Sequence, residues 1–359
     1  MSDNPSSLHL LKQDLGAGPS DKNFNRQRTR MNNMVTARSV FLSTLIALSI
    51  GASAPVCAAD STSPAASYQQ VADSYSFPLG DLQITALSDG TVPQDLHELL
   101  TGTSHAHTDD LLDKEFLANP VEASINAFLI QDARHTILVD TGSGDLFGPG
   151  NGGKLLDSLA NVGVKAGDVT DILITHIHTD HTGGLVRNGL PAFPNAIVHV
   201  GAPDLSFFLD PSNAGKTGYA EQYFDEAAKT IGVYEELGKV KTFGDGDEIL
   251  PGITTTLHPG HTPGSAFFTV TSKSRSITFI GDVIHVAAIQ FPEPDVTIVY
   301  DVKPENAATV RKETFADLAG RRELVGAPHL PFPGIGYIRA EGAGSFSWHP
   351  VEYRNRAGQ

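Results

Sequence analysis

Residues 175–185 read THIHTDHTGGL and follow directly on an apolar stretch, residues 171–175 (DILIT). The segment places three imidazoles and a carboxylate, His176, His178, Asp180 and His181, within six residues. In an extended chain side chains alternate with period two, so His176 and His178 point the same way and can share one metal ion. The turn that follows can aim Asp180 and His181 at a second ion. Gly183 and Gly184 would let the backbone pass close to the site before a helix begins. A lone histidine is usually an ordinary hydrogen-bonded side chain. Four ligand-type groups crowded at a buried strand end add nothing to a core unless something coordinates them. With a single cysteine in the chain, neither a disulfide framework nor a multi-cysteine zinc site is available, and metal binding must rest on His and carboxylate.

Two ions need more ligands than this segment holds. His261 in HPGHTPGS, Asp282 in TFIGDVIH and His329 in GAPHLPFPG each follow an apolar or Gly/Pro-rich stretch that could bring them to the same place. Short apolar strand patterns occur at 82–88, 124–130, 136–139, 171–175, 196–200, 253–257, 266–270 and 276–280, and helical patterns at 151–162, 219–230 and 304–318. Buried strands interleaved with helices, with polar residues collected at strand ends, point to a layered α/β architecture carrying its site on loops at a sheet edge. Strand order is not fixed by these patterns.

The succession His-x-His-x-Asp-His, then His261, then Gly-Asp282 after a strand, then His329, resembles the metallo-β-lactamase superfamily, from about Phe77 to the C-terminus. That resemblance implies an αββα four-layer sandwich with a binuclear site along one edge. His176, His178 and His261 would hold the first metal, and Asp180, His181 and His329 the second, with Asp282 bridging. Asp140, in LVDTGSG, would buttress the site; the alternative is a turn-forming Asx side chain. Imidazole and carboxylate without thiolate suit Zn(II) best among divalent ions. The family's iron-type redox members replace the second His of the cluster by Glu, whereas this chain keeps His178, which favours hydrolysis. Zinc lowers the pKa of bound water to about 7, so a hydroxide shared by the two ions would attack the scissile C=O or P=O group.

Asp282 weighs against a true β-lactamase. The segments FPNAIV (193–198), AAIQF (287–291) and HLPFPGIGYIRAEG (329–342) resemble the exported branch containing methyl parathion hydrolase and related aryl-lactone hydrolases. Residues matching that branch's pocket are Phe147, Phe208, Tyr223, Phe224, Ile298 and Tyr300, each with plain core packing as its alternative. His285 stands where the specialised phosphotriesterase is apolar. An imidazole there could bond a lactone carbonyl or leaving phenolate and obstruct a bulky dialkyl aryl phosphate, or it could be scaffolding. The expectation is a binuclear hydrolase of lactones and aryl esters with phosphotriester cleavage as a side activity. A dedicated phosphotriesterase, a β-lactamase and a non-catalytic metal-binding module are the alternatives. His258 is expected to be structural.

The chain has 359 residues, with 25 Lys+Arg against 41 Asp+Glu and a net charge of −16. That balance excludes nucleic acid and anionic membrane as main partners, leaving a small-molecule substrate; a homodimer is implied by the resemblance alone. Arg26, Arg28, Arg30 and Arg38 precede an apolar run at 40–50 and a Val56-x-Ala58 site, the pattern of a secretory signal peptide. A retained anchor is the alternative, and translation could start at Met31 or Met34. Cys57 follows Val56 where lipidation would want a small residue. The expected organisation is an extension and signal peptide at 1–59, a tether at 60–76 and one hydrolase domain at 77–359, exported to the periplasm or secreted.

Overall fold

The computed structural model describes residues 74–355. The expected signal peptide and most of the tether lie outside the described residues. The tether's last residues do not: they belong to the first strand, which starts at Ser74.

The first sheet has seven strands, adjacent in chain order: β1 (Ser74–Leu79), β2 (Leu82–Gln94), β3 (Val121–Gln131), β4 (Thr136–Val139), β5 (Asp171–Ile174), β6 (Ile197–Gly201) and β7 (Val240–Phe243). The second sheet also has seven in chain order: β8 (Glu248–Leu250), β9 (Ile253–Leu257), β10 (Ala266–Ser272), β11 (Arg275–Phe279), β12 (Leu324–Gly326), β13 (Ile335–Gly342) and β14 (Ser345–Pro350). The turn at 244–247 therefore divides the polypeptide into two consecutive halves, each forming one of the seven-stranded sheets, while a two-stranded pairing of Leu100–Thr101 with Thr297–Ile298 joins the halves.

Neighbours β1 to β4 are antiparallel, joined by short connections except between β2 and β3, where residues 95–120 carry the helix His105–Lys114. From β4 to β7 the pairing is parallel, and so is β11 with β12. Parallel neighbours need crossovers. The helix Leu155–Asn161 lies between β4 and β5, helices including Ala202–Phe208 and Glu221–Lys229 between β6 and β7, and Pro304–Arg321 between β11 and β12.

Alternation along each strand sorts the core into layers. On β4, Ile137 and Val139 face the second sheet and pack with Phe268, Val270 and Phe279, while Leu138 faces outward to Leu155 and Leu159. On β5 the order inverts: Leu173 faces between the sheets, Ile172 and Ile174 outward towards Phe208, Phe224 and Tyr234. On β10, Phe268 faces inward and Phe267 outward onto Phe315 and Leu318 of the long helix. Helix, sheet, sheet and helix thus stack as the αββα sandwich. A further cluster, in which Leu96, Leu111, Ile289 and Ile298 are buried together, caps the edge where the loops gather. No helix among the described residues is long and apolar enough to cross a membrane.

Most expected elements appear, with shifted ends. The helix expected from 151 starts at Leu155, because Gly152 and Gly153 adopt positive φ and lead into the helix beneath Asp89. The Asp89 carboxylate accepts from the backbone N–H groups of Ser143, Gly153 and Leu155 and from the Ser143 hydroxyl. The helix His105–Lys114 and the strands β1, β13 and β14 add to the expected set. At the end of His105–Lys114 the backbone of Phe116 turns left-handed, with φ 58, and its side chain is 97% exposed.

Candidate metal centre

Loops leaving the strand ends deliver the site. Asp140 follows β4, His176 to His181 follow β5, His261 follows β9, Asp282 follows β11 and His329 follows β12. Strand β5 ends at Ile174, so His176 and His178 are not aligned by strand alternation. The backbone bends instead, and His178 becomes the N-terminal cap of the short helix Thr179–Thr182. Gly183 and Gly184 follow this helix rather than precede one. Their role is close packing: a Cβ on Gly183 would lie 2.1 Å from the Ser143 carbonyl oxygen, and one on Gly184 1.9 Å from that of Thr141. They press the histidine loop against the loop that carries Asp140.

The bend brings nitrogen onto nitrogen. His176 Nε2 lies 3.1 Å from His178 Nδ1 and 3.2 Å from His261 Nε2, and His178 Nδ1 lies 3.0 Å from His261 Nε2. Asp282 Oδ2 sits 3.6 Å from His176 Nε2, 3.4 Å from His261 Nε2 and 3.1 Å from His329 Nε2. Its Oδ1 is 3.2 Å from His181 Nε2. Asp180 approaches His181 Nε2 at 3.6 Å and His329 Nε2 at 3.4 Å. Asp282 therefore stands between two groups of ligand-type atoms, one with His176, His178 and His261 and one with Asp180, His181 and His329.

Each of these five imidazoles turns its other nitrogen to a partner. His176 Nδ1 faces the Thr175 hydroxyl at 3.1 Å, His178 Nε2 the Tyr219 hydroxyl at 2.7 Å, and His181 Nδ1 the Asp140 carboxylate at 2.9 Å. His261 Nδ1 faces Asp301 at 2.8 Å, and His329 Nδ1 the Ser124 carbonyl at 2.9 Å. In the neutral rings the outward nitrogens donate there, which leaves the inward nitrogen of each to supply the lone pair. Asp140 also accepts from the Thr175 backbone N–H and hydroxyl, each at 2.8 Å, tying β4 to the end of β5. Asp204 accepts from the N–H groups of Ile177 and Gly264 and from the Thr262 hydroxyl, joining the His176 and His261 loops.

These residues fit divalent ions. Ligands about 2.0–2.1 Å from a tetrahedral zinc stand about 3.3–3.4 Å from one another, close to the 3.0–3.6 Å found between the converging atoms. His181 Nε2 and Asp282 Oδ1 are buried with no hydrogen bond among the described residues, a costly state for polar atoms unless they have another purpose. Burial, then the charge of neighbouring imidazoles, pushes His176 and His178 well below the ordinary histidine range, towards the neutral form that ligates. For His261, burial is outweighed by Asp282 and Asp301, which lift it to about 9. Burial of Asp282 is likewise outweighed by His181, His329, His176 and His285, and its carboxyl is held well below the usual range. The cluster is built around an ionised Asp282.

Beside it opens a cavity of about 240 Å³, lined by Gln94, Phe147, Tyr223, Tyr300 and His285 together with Asp180, Asp282 and His329. Three residues expected in this pocket do not line it. Phe208 and Phe224 project from crossover helices into the core on the outer face of the first sheet, and Ile298 is buried in the capping cluster beside Leu100. Phe208 reaches the site only as an edge-on contact behind His178, 5.7 Å between ring centres. His285 faces the cavity with neither ring nitrogen hydrogen-bonded among the described residues, its Nε2 3.2 Å from Asp282 Oδ2. His258 stacks on Phe267 at 3.7 Å, away from this cavity. Sequence reading missed the partners Thr175, Asp204, Tyr219 and Asp301, and the cavity residues Gln94 and Gln222. No spacing rule marks residues that act through a histidine on another loop.

The profile of the Metallo-beta-lactamase superfamily matches residues 121–337. The chain belongs to that superfamily. Among solved structures, the hydrolase AbOPH of the beta-lactamase superfamily is 34% identical, with a TM-score of 0.75 over 80% of this chain and 100% of the other. The dizinc quorum-quenching lactonase AidC, solved with the product N-hexanoyl-L-homoserine, is 28% identical, with a TM-score of 0.74 and the same 80% and 100% coverage. Among curated relatives, N-acyl homoserine lactonase AttM of Agrobacterium fabrum is 29% identical over 32% of this chain and 41% of its own length. Metallo-beta-lactamase domain-containing protein 1 of Xenopus laevis is 39% identical over 26% of this chain and 34% of its own. The chain thus spans well under half of these two curated relatives.

Proposed function

We propose that this protein is a binuclear metal-dependent hydrolase of lactones and aryl esters, with phosphotriester cleavage as a weaker side activity. The observation that carries the reading is the convergence of paired imidazoles on one buried carboxylate, Asp282, at the wall of a cavity sized for a small ester. His176, His178 and His261 would hold one ion and Asp180, His181 and His329 the other, with Asp282 common to both. Zinc fits a donor set of imidazole and carboxylate without thiolate. Two such ions would supply an activated water and a Lewis acid for the scissile carbonyl.

The chain's own residues do the rest. His285, buried with its Nε2 3.2 Å from Asp282 Oδ2, would offer an N–H to the carbonyl oxygen or to a departing phenolate or alkoxide. Burial pushes the Tyr300 hydroxyl up to about 12 and that of Tyr223 higher still, so both keep their protons as donors across the working pH range. Thr179, Gln222 and Gln94 add polar groups to the wall, with Phe147 as the apolar exception. A planar ester suits such a lining. A dialkyl aryl phosphate, bulkier and without donors, would crowd His285. AidC and AttM, both named as lactonases, support the choice of substrate.

The test is turnover by zinc-loaded protein of dihydrocoumarin, an N-acyl homoserine lactone, a paraoxon-type triester and a β-lactam, with and without chelator. Chelator-sensitive ring opening of the lactones, faster than triester cleavage, is expected, and His285→Leu should shift the ratio towards the triester. Activity indifferent to chelation, or two bound metals with no turnover of any substrate, would overturn the reading.

A further inference from the structure

His329 stands at the junction of two sets of converging atoms. One is the set with Asp180 and His181; the other is Asp282, His285 and His329, whose ligand-type atoms lie within 4.8 Å of one another. All three of the latter are buried. Nε2 of His329 is 3.1 Å from Asp282 Oδ2, and Nε2 of His285 is 3.2 Å from the same oxygen. At that distance a ring N–H aimed at the oxygen would make an ordinary hydrogen bond. His285 is not so aimed: neither of its ring nitrogens has a hydrogen bond among the described residues. The same short but unaligned approach, again 3.2 Å, joins His181 Nε2 to Asp282 Oδ1. Two ligands of one ion aim at a third point rather than at each other, and they stand about 3.3–3.4 Å apart around a tetrahedral zinc.

We infer that His285 is a further metal ligand, its Nε2 forming with Asp282 and His329 an alternative seat for the second divalent ion. This seat presupposes the binuclear reading above and adds a ligand to it. Three protein donors drawn from imidazole and carboxylate are the number and kind that hold a catalytic zinc ion. Because His329 and Asp282 serve both seats, occupation of one excludes the other, and the chain holds two ions rather than three. The second ion thus has two adjoining positions, one against Asp180 and His181 and one against His285 at the cavity wall. A histidine kept for packing alone would leave two buried nitrogens unpaired where a leucine would fill the space without that cost. With Nε2 on the ion, Nδ1 carries the ring proton, so ligation leaves His285 one N–H to donate.

The experiment uses the chelated full chain reloaded with cobalt(II), whose unpaired electrons displace the NMR signals of ring protons on ligating histidines. Elemental analysis should find two ions per wild-type chain. His285→Leu should also bind two but lose one displaced, solvent-exchangeable ring N–H signal, and an unchanged set of such signals overturns the assignment. A second comparison removes the competing seat. In Asp180→Ala/His181→Ala the second cobalt should still bind, and adding His285→Leu should weaken it by more than the about 10- to 100-fold that loss of a histidine's outer partner costs, measured by equilibrium dialysis. The first ion, held by His176, His178 and His261, should change in affinity by less than about threefold, which shows that the variants fold; if they do not, the single substitution decides alone. No second ion in Asp180→Ala/His181→Ala, or equal affinity for it with and without His285, overturns the seat and leaves the two-ion reading in place. A wild-type chain that binds fewer than two ions overturns the binuclear reading and the seat together.

Discussion

An imidazole serves as a metal ligand only when its ring is held, and here the holding is done by residues that touch no reacting atom. Asp301 bonds His261 Nδ1 and also accepts from the Ile298 backbone N–H. Asp301→Ala should weaken metal binding by about 10- to 100-fold, read by competition with a chromogenic chelator; unchanged affinity would show that His261 is oriented by packing alone. Asp204 makes a different prediction. Burial lifts its carboxyl from 3.8 to about 6, against the three donors that favour the charged form. A carboxyl raised on folding stabilises the fold in its protonated state. Its contribution is complete below about pH 4 and is lost as pH rises through about 6, a change of about 3 kcal/mol. In chelated protein, Asp204→Asn should flatten the fall of the urea midpoint across that window, and parallel curves for the two proteins would refute the assignment. At this scale the sequence was legible where ligands are consecutive, as in 175–185, and where Gly or Pro flanks a lone histidine. Asp204 and Asp301 were not, because each acts on a loop remote in the chain and neither sits in a pattern that chemistry demands.

Among elements, the end of the helix His105–Lys114 shows a local choice that works against the backbone. The N–H groups of Phe116 and Leu117 bond back to the carbonyls of Asp113 and Leu112, the arrangement that calls for glycine at the left-handed position. Phe116 occupies it, and its exposed ring gains nothing from packing in this chain. Phe116→Gly should stabilise the protein by about 1 kcal/mol, seen as a higher urea midpoint; a lower one would mean that the ring is covered in solution. Apolar strands were readable because burial on both faces makes continuous runs, as in TILV at Thr136–Val139. The hairpin of β13 and β14 was hidden because its outer strands alternate with many exposed residues. Phe208 and Phe224 misled for a related reason: an aromatic on an amphipathic helix reads the same whether it faces a cavity or a sheet, and only the crossover geometry decides.

Over the whole molecule, the candidate metal cluster draws on both halves of the polypeptide. His176, His178, Asp180 and His181 precede the turn at 244–247, whereas His261, Asp282 and His329 follow it. Divalent ions bound there would favour the assembled state over the unfolded one, each by about 4 kcal/mol when free metal is about a thousand times its dissociation constant. The strand order itself could not be read from sequence patterns, since pairing among parallel strands depends on long-range packing. Its outcome is unusually simple: one uninterrupted length of chain for each seven-stranded sheet. A protease cut in the short turn between the lengths would leave two pieces that interlock across a shared apolar seam and are riveted by the ions. Such a nicked protein should elute as one particle and keep its activity, then come apart at lower urea concentration once a chelator is added. Separation of the pieces at the same urea concentration with and without metal would mean that the rivet bears no strain.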